Sequence, residues 1–187
     1  GSNFNDTLSG NSGNNMLVGG SGIDTLTYAN AAAGVAVSLA LATAQVTGGD
    51  GTDTISGFEN LTGSNFNDTL SGNSGNNTLI GGSGTDTLTY ANAAAGVTLS
   101  LALATAQVTG GDGTDTISGF ENLTGTAFDD VLTGDGNANS IDAGNGNDTV
   151  KYLGFVGGKW LAVPAESNVG VKSSSKPISP NTPLYKP

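Results

Sequence analysis

Hydrophobic and polar positions in this chain keep a nine-residue beat. Three segments open it in register: GSNFNDTLS (1–9), GNSGNNMLV (10–18) and GGSGIDTLT (19–27). Each runs through six mostly small or polar residues, Phe4 and Ile23 excepted, and then a triplet centred on one large aliphatic, Leu8, Leu17 or Leu26. A fourth, GGDGTDTIS (48–56), centres on Ile55. Such a triplet predicts a short strand with one inward side chain. The glycines ahead of it permit the left-handed backbone of a tight turn. The expectation is an all-β fold, a parallel β-roll or β-solenoid, with an aliphatic ladder through its middle.

The beat is itself copied. Residues 1–62 recur as 63–124 with five changes: Met16/Thr78, Val18/Ile80, Ile23/Thr85, Ala36/Thr98 and Val37/Leu99. A decayed third copy covers 125–152. A fold that tolerates tandem copying is quasi-one-dimensional, each unit needing only its neighbours. Function is therefore expected in an extended array, not in a single pocket. Each full unit is expected to make three coils, climbing about 4.8 Å per coil. Residues 28–47 interrupt the beat. Val35, Val37, Leu39 and Leu41 alternate there with Ala36, Ser38, Ala40 and Ala42. This predicts a strand longer than its neighbours, bulging from the roll or folded as a small hairpin; the Ala-rich start also suits a short helix.

The shared grammar is G-G-x-G-x-D-x-U-x, with U a large aliphatic. Full matches are GGSGIDTLT at Gly19, GGSGTDTLT at Gly81, and GGDGTDTIS at Gly48 and Gly110. This resembles the RTX (repeats-in-toxin, haemolysin-type) calcium-binding nonapeptide. The resemblance spans residues 1–152. It implies calcium held between turn loops by aspartate carboxylates and loop carbonyls. Departures are Asn15, Asn77 and Asn139 in place of the Asp, Phe4, Phe66 and Phe128 in place of a loop glycine, and the irregular GDGNANSID at Gly134.

Residues 1–150 carry 15 acids and no lysine, and all five lysines follow, for a net charge of −11. Two carboxylates about 5 Å apart repel by roughly 3 kcal/mol at an effective dielectric of 20. Bound divalent cations would remove that repulsion. The acids sit at fixed loop positions, unlike the runs of an acidic disordered or halophilic surface. Asp6 and Asp24, Asp68 and Asp86, and Asp130 and Asp148 are each 18 residues apart, two nonapeptides; Asp53 and Asp68, and Asp115 and Asp130, are 15 apart. The spacing places Asp6, Asp24, Asp53, Asp68, Asp86, Asp115, Asp130 and Asp148 along one edge as metal ligands. Calcium, which takes about 6–8 hard oxygens in flexible geometry, suits them better than octahedral magnesium. The other edge reads GNSGNN, ANAAAG and GFEN, neutral apart from Glu59 and Glu121. Few or no strong sites are expected there, with Asn15, Asn60 and Asn77 hydrogen-bonding between coils.

Several function classes drop out. Without His or Cys there is no Ser-His triad, Cys-His pair or His-based zinc site, and no disulfide framework. A carboxylate pair could serve a glycosidase, but each acid has a repeat-mate in a ligand-type position or stands alone. No phosphate or dinucleotide loop appears, and so acidic a body is a poor nucleic-acid partner. No signal peptide or membrane-inserting run is visible. The sequons at Asn5 and Asn60 read as turn and ladder residues. Residues 153–187, with Trp160 and then SSSKPISPNTPLYKP, read as a terminal coil or capping strand followed by an extended segment, either a flexible linker, which composition alone favours, or a tail that docks on a neighbouring subunit. Gly1 already lies inside the repeat grammar, so upstream coils or another molecule are expected to cover that face. Self-association head to tail would give a fibre. The expected function is an extracellular or cell-surface calcium-stabilised structural protein, a filament subunit or adhesin stalk. The alternatives are a non-catalytic module of a larger secreted enzyme or toxin, and glycan or ice recognition by outward rows such as Thr7, Thr25, Thr54 and Thr69.

Overall fold

The structure, a computed structural model, describes residues 1–156 and 159–164. Among the described residues no helix is long and apolar enough to cross a membrane. The first unit supplies seven strands: β1 (Thr7–Leu8), β2 (Met16–Val18), β3 (Thr25–Thr27), β4 (Ala36–Ser38), β5 (Gln45–Val46), β6 (Thr52–Ser56) and β7 (Asn60–Thr62). The second repeats them: β8 (Thr69–Ser71), β9 (Thr78–Ile80), β10 (Thr87–Thr89), β11 (Thr98–Ser100), β12 (Gln107–Val108), β13 (Thr114–Ser118) and β14 (Asn122–Thr124). Then follow β15 (Val131–Thr133), β16 (Ser140–Asp142), β17 (Thr149–Val156) and β18 (Lys159–Pro164).

Two faces enclose the core. Face one runs β1-β3-β7-β9-β13-β12, then β11-β15-β17-β18; face two runs β2-β6-β5, then β4-β8-β10-β14-β16. All pairings are parallel except those made by β5, β12 and β18. The breaks are bridged. On face two the Ala36 amide donates to the Thr47 carbonyl at 2.9 Å, and the Ser38 amide to Gln45 Oε1 at 2.8 Å. On face one Thr98 donates to the Thr109 carbonyl at 2.8 Å.

The strand count has a consequence. In the first unit β4, β5 and β6 all stay on face two, so the seven strands visit the faces an odd number of times. The second unit therefore enters from the other face, and β11, β12 and β13 lie on face one. A unit makes five passes, two and a half coils rather than the three expected, and successive units are related by a half-turn about the roll. The insertion forms no helix and no long strand. β4 has three residues, and after a turn β5 returns antiparallel to β6, so the hairpin alternative is the one that forms. Leu41 is left 45% exposed because the Gln45 carboxamide closes the turn, its Nε2 donating to the Ser38 and Leu41 carbonyls.

The inward residue of each triplet builds the core. Leu26, Leu61, Leu79 and Ile117 face Val37, Leu70, Leu88, Leu123 and Ile141, all buried, with Tyr28 and Tyr90 packed among them. Leu8 and Leu17 are partly buried at the edge of the same cluster. Outward rows are split between the faces. Thr7 and Thr25 are in register on face one, whereas Thr54 pairs with Met16 and Thr69 with Ala36 on face two. β17 and β18 pair as an antiparallel hairpin at the end of face one. The Pro- and Ser-rich tail and its docking lie outside the described residues.

Candidate metal centre

Every repeat aspartate but Asp6 turns towards the neighbouring coil, because turn amides there would otherwise be buried without an acceptor. The Asp6 amide donates to Asp24 Oδ1 at 2.8 Å, and the Asp24 amide to Glu59 Oε2 at 2.8 Å. One unit on, Asp68 donates to Asp86 Oδ1 at 2.9 Å and Asp86 to Glu121 Oε2 at 2.8 Å. Asp130 donates to Asp148 Oδ1 at 2.9 Å. Asp53 and Asp115 accept the amides of Asn15 and Asn77, both at 2.9 Å. Each of these accepting carboxylates thus ties two turns together, whereas the Asp6 carboxylate accepts only the Ser2 amide of its own loop.

The eight aspartates do not share one edge. Asp6, Asp24, Asp115, Asp130 and Asp148 precede strands of face one, and Asp53, Asp68 and Asp86 precede or begin strands of face two. The half-turn between units is the cause: pairs 18 residues apart stay together, while mates 62 apart change edge. The pairs 15 apart share an edge, but inserted strands separate them. Nor is there a neutral edge. Glu59 and Glu121 complete two ladders of three acids, one with Asp6 and Asp24, the other with Asp68 and Asp86. The signal for them was local: Glu59 stands directly before the Asn60–Thr62 triplet, as each Asp stands before its own. The nine-residue beat hides this, because GFEN is a compressed loop. Asn60 and Asn77 do bond between coils, Asn60 Oδ1 accepting the Thr78 amide at 3.1 Å and Asn77 Nδ2 donating to the Glu59 carbonyl at 2.9 Å. Asn15 Oδ1 instead caps its own loop at the Asn11 amide, 2.8 Å away.

The second carboxylate oxygens separate the aspartates chemically. At Asp53 and Asp115, Oδ2 accepts a tyrosine hydroxyl, from Tyr28 at 3.0 Å and from Tyr90 at 2.7 Å. At Asp68 it accepts the Ser64 amide at 2.5 Å, and at Asp130 the Thr126 amide at 2.7 Å. Asp6 Oδ2 accepts the Ser2 amide, and the hydrogen bonds from Ser2 hold this carboxyl below its ordinary range. At Asp24 and Asp86, both fully buried, Oδ2 has no partner at all. A Cβ on Gly19 would collide with the Gly57 carbonyl oxygen and lie 2.8 Å from Asp24 Oδ2. Gly81 repeats this with the Gly119 carbonyl and Asp86 Oδ2. A main-chain oxygen and a bare carboxylate oxygen therefore front the same bare α-carbon.

That arrangement is electrostatically incomplete. Burial, and after it the charges of Asp68 and Glu121, push the Asp86 carboxyl up to about 6, although the Asp68 amide bond favours the anion. Burial and the adjacent Asp53 and Asp115 likewise push the Tyr28 and Tyr90 hydroxyls far up. Among the described residues no three His, Cys, Asp or Glu side chains converge as a ready-made metal site. A cation here would take much of its shell from loop carbonyls and water, which calcium accepts. The orphaned, buried Oδ2 atoms fit a hard cation.

A sequence profile of the RTX calcium-binding nonapeptide repeat matches residues 1–26, 56–88 and 118–150. The chain belongs to the RTX calcium-binding nonapeptide repeat family. Its repeats are calcium-binding, and the all-β roll is the fold expected of them. No curated protein matches the chain. The matched RTX segments contain Asp6, Asp24, Glu59, Asp68, Asp86, Glu121, Asp130 and Asp148. They leave out 27–55 and 89–117, which hold the insertion strands and the pairs Tyr28–Asp53 and Tyr90–Asp115.

Proposed function

We propose that this RTX chain is an extracellular structural solenoid hardened by calcium, a subunit of a head-to-tail filament or the stalk of a surface adhesin. Its calcium enters at the ladders of Asp6, Asp24 and Glu59, of Asp68, Asp86 and Glu121, and of Asp130 and Asp148. Asp53 and Asp115 line the same edges. The observation that carries this reading is the bare, buried Oδ2 in the middle of each complete ladder. A site of extracellular grade, with a dissociation constant of about 0.1–1 mM, contributes roughly 0.6–2 kcal/mol at about 2 mM calcium. Several such sites offset carboxylate repulsion and ordering entropy together. In a calcium-poor cytoplasm the repeats stay loose; outside the cell they stiffen.

Chelation with EGTA is expected to collapse the β signal in circular dichroism, and an unchanged spectrum overturns the calcium reading. Negative-stain images in calcium are expected to show regular fibres. Dispersed short rods would favour a non-catalytic module of a larger secreted enzyme or toxin. One observation supports ligand recognition as a second reading: Thr25, Asn60 and Thr78, with Thr27 and Thr62, stand in register on face one as ranks of polar groups. Ice-affinity and glycan-array measurements test it.

A further inference from the structure

The insertion coils reuse the nonapeptide grammar but leave a different carboxylate bare. Asp50, the third residue of GGDGTDTIS, is 6% exposed, and its repeat-mate Asp112 is 8% exposed. Neither carboxylate has a hydrogen-bond or ion-pair partner; at Asp112 only the backbone amide is bonded, to Thr109 Oγ1 at 3.1 Å. Each lies beside a fully buried second acid, Asp53 or Asp115, whose charge it feels. Asp50 is aimed at the neighbouring turn. A Cβ on Gly10 would collide with Asn15 Oδ1 and lie 3.5 Å from Asp50 Oδ2, so two oxygens from different coils front one bare α-carbon. In the second unit Asn77 Oδ1 likewise fronts Gly72, and the three atoms nearest that position all belong to Asn77. The 48–53 turn does not stack on a single neighbour. Gly51 packs on the Gly13 carbonyl, while Gly49 packs on the Ala33 carbonyl. Asp50 is thus held between two loops, 10–15 and 29–34.

We propose that Asp50 with Asn15 Oδ1 forms a second kind of divalent-cation site in the first insertion, and that Asp112, its equally buried and unpartnered repeat-mate, anchors the corresponding site in the second. In the ladders the sixth residue of the nonapeptide offers the bare oxygen. Here the tyrosine hydroxyl occupies that residue, Asp53 or Asp115, and the bare oxygen moves to the third residue. Asp53 and Asp115 act as positioning residues that supply adjacent negative charge. Carboxylate, carboxamide oxygen and water are a hard-oxygen set, which selects calcium over softer ions. The inference rests on the calcium reading of the ladders, but its carboxylates, Asp50 and Asp112, lie outside the matched repeats.

Calcium titration of the full chain by calorimetry tests it, with Asp50→Asn/Asp112→Asn compared with wild type and with Asp24→Asn/Asp86→Asn. The first variant is expected to bind two fewer ions per chain. Tyrosine-sensitised terbium emission should persist in Asp24→Asn/Asp86→Asn and be lost when Asp50 and Asp112 are also replaced. Should the double variant fail to fold, Asp50→Asn alone is expected to lose one ion. An unchanged stoichiometry in Asp50→Asn/Asp112→Asn, with loss in Asp24→Asn/Asp86→Asn, overturns this proposal and leaves the ladders standing. Absence of calcium binding in the wild-type chain overturns both.

Discussion

GGSGIDTLT at 19–27 and GGDGTDTIS at 48–56 share one grammar and meet different fates. In both, the aspartate before the strand is fully buried and its Oδ1 accepts an amide from a neighbouring coil. At Asp24 the second oxygen is bare; at Asp53 it accepts the Tyr28 hydroxyl. The second unit repeats the contrast at Asp86 and Asp115 with Tyr90. A repeat motif therefore fixes where a carboxylate sits, and the neighbouring coil decides whether it awaits a cation or is already satisfied. Tyr28 reaches Asp53 because the insertion brings β6 back onto the face opposite β3.

The largest effect is expected from breaking the protein-satisfied half of the contrast. Tyr28→Phe with Tyr90→Phe leaves two buried carboxylate oxygens without donors. Each is expected to cost about 1–3 kcal/mol, measured by thermal and urea melts in EGTA. A loss no greater than that of an exposed substitution would show that the hydroxyls do not secure Asp53 and Asp115.

The other half should respond with the opposite sign. In EGTA, Asp24→Asn/Asp86→Asn removes two buried charges that have no partner on one oxygen, so the calcium-free chain is expected to be unchanged or more stable. In calcium the same variant is expected to lose roughly 0.6–2 kcal/mol per abandoned site. Paired melts with and without calcium read the reversal. Equal destabilisation in both buffers would mean that these carboxylates act only as amide acceptors, and the contrast with Asp53 would vanish.

A third, smaller test concerns the close approach of the coils. Gly19→Ala is expected to cost about 1–3 kcal/mol by overpacking against the Gly57 carbonyl. In calcium the loss should be larger, because the same Cβ intrudes beside Asp24 Oδ2. Calcium titration of this variant should show weaker binding than wild type.

Sequence reading reached the strands because each triplet carries one large aliphatic, and Leu26, Leu70 and Leu88 are buried where the beat puts them. It missed the half-turn between units. Whether a stretch such as 28–47 crosses the roll or stays on one face depends on Gln45 bridging Ser38 and on β5 pairing antiparallel with β6, and neither is written in periodicity. The edge assignment of the aspartates failed with it. Glu59 was legible from its place before Asn60–Thr62 but obscured by a search for nines. The bare and satisfied oxygens were not legible at all, since Tyr28 and Asp53 meet only through the fold, 25 residues apart in sequence.

The smallest effect expected is on pH, and it reads the bare carboxylates directly. Burial, followed by the charges of Asp68 and Glu121, raises Asp86 to about 6 from 3.8, and burial with the Asp115 charge raises Asp112 to about 6. A carboxyl raised by folding is protonated in the folded chain while still ionised in the unfolded one. Its stabilising contribution is full below the unfolded value and is lost as pH rises through the folded one. The calcium-free protein is therefore expected to melt higher at pH 5 than at pH 7. Asp6, whose carboxyl is lowered, contributes the opposite slope, but only below its ordinary 3.8, outside this window. With calcium the order inverts, because protons compete with the ion for the same oxygens. The calcium-loaded melting temperature should fall from pH 7 to pH 5. In Asp86→Asn the calcium-free rise should shrink to the share carried by Asp112 and by Asp50, Asp115 and Asp148, whose carboxyls burial also raises. A calcium-free melt that falls between pH 7 and pH 5 would show that these carboxylates are solvated, and with that the difference between the bare and the tyrosine-bonded aspartates would lose its physical basis.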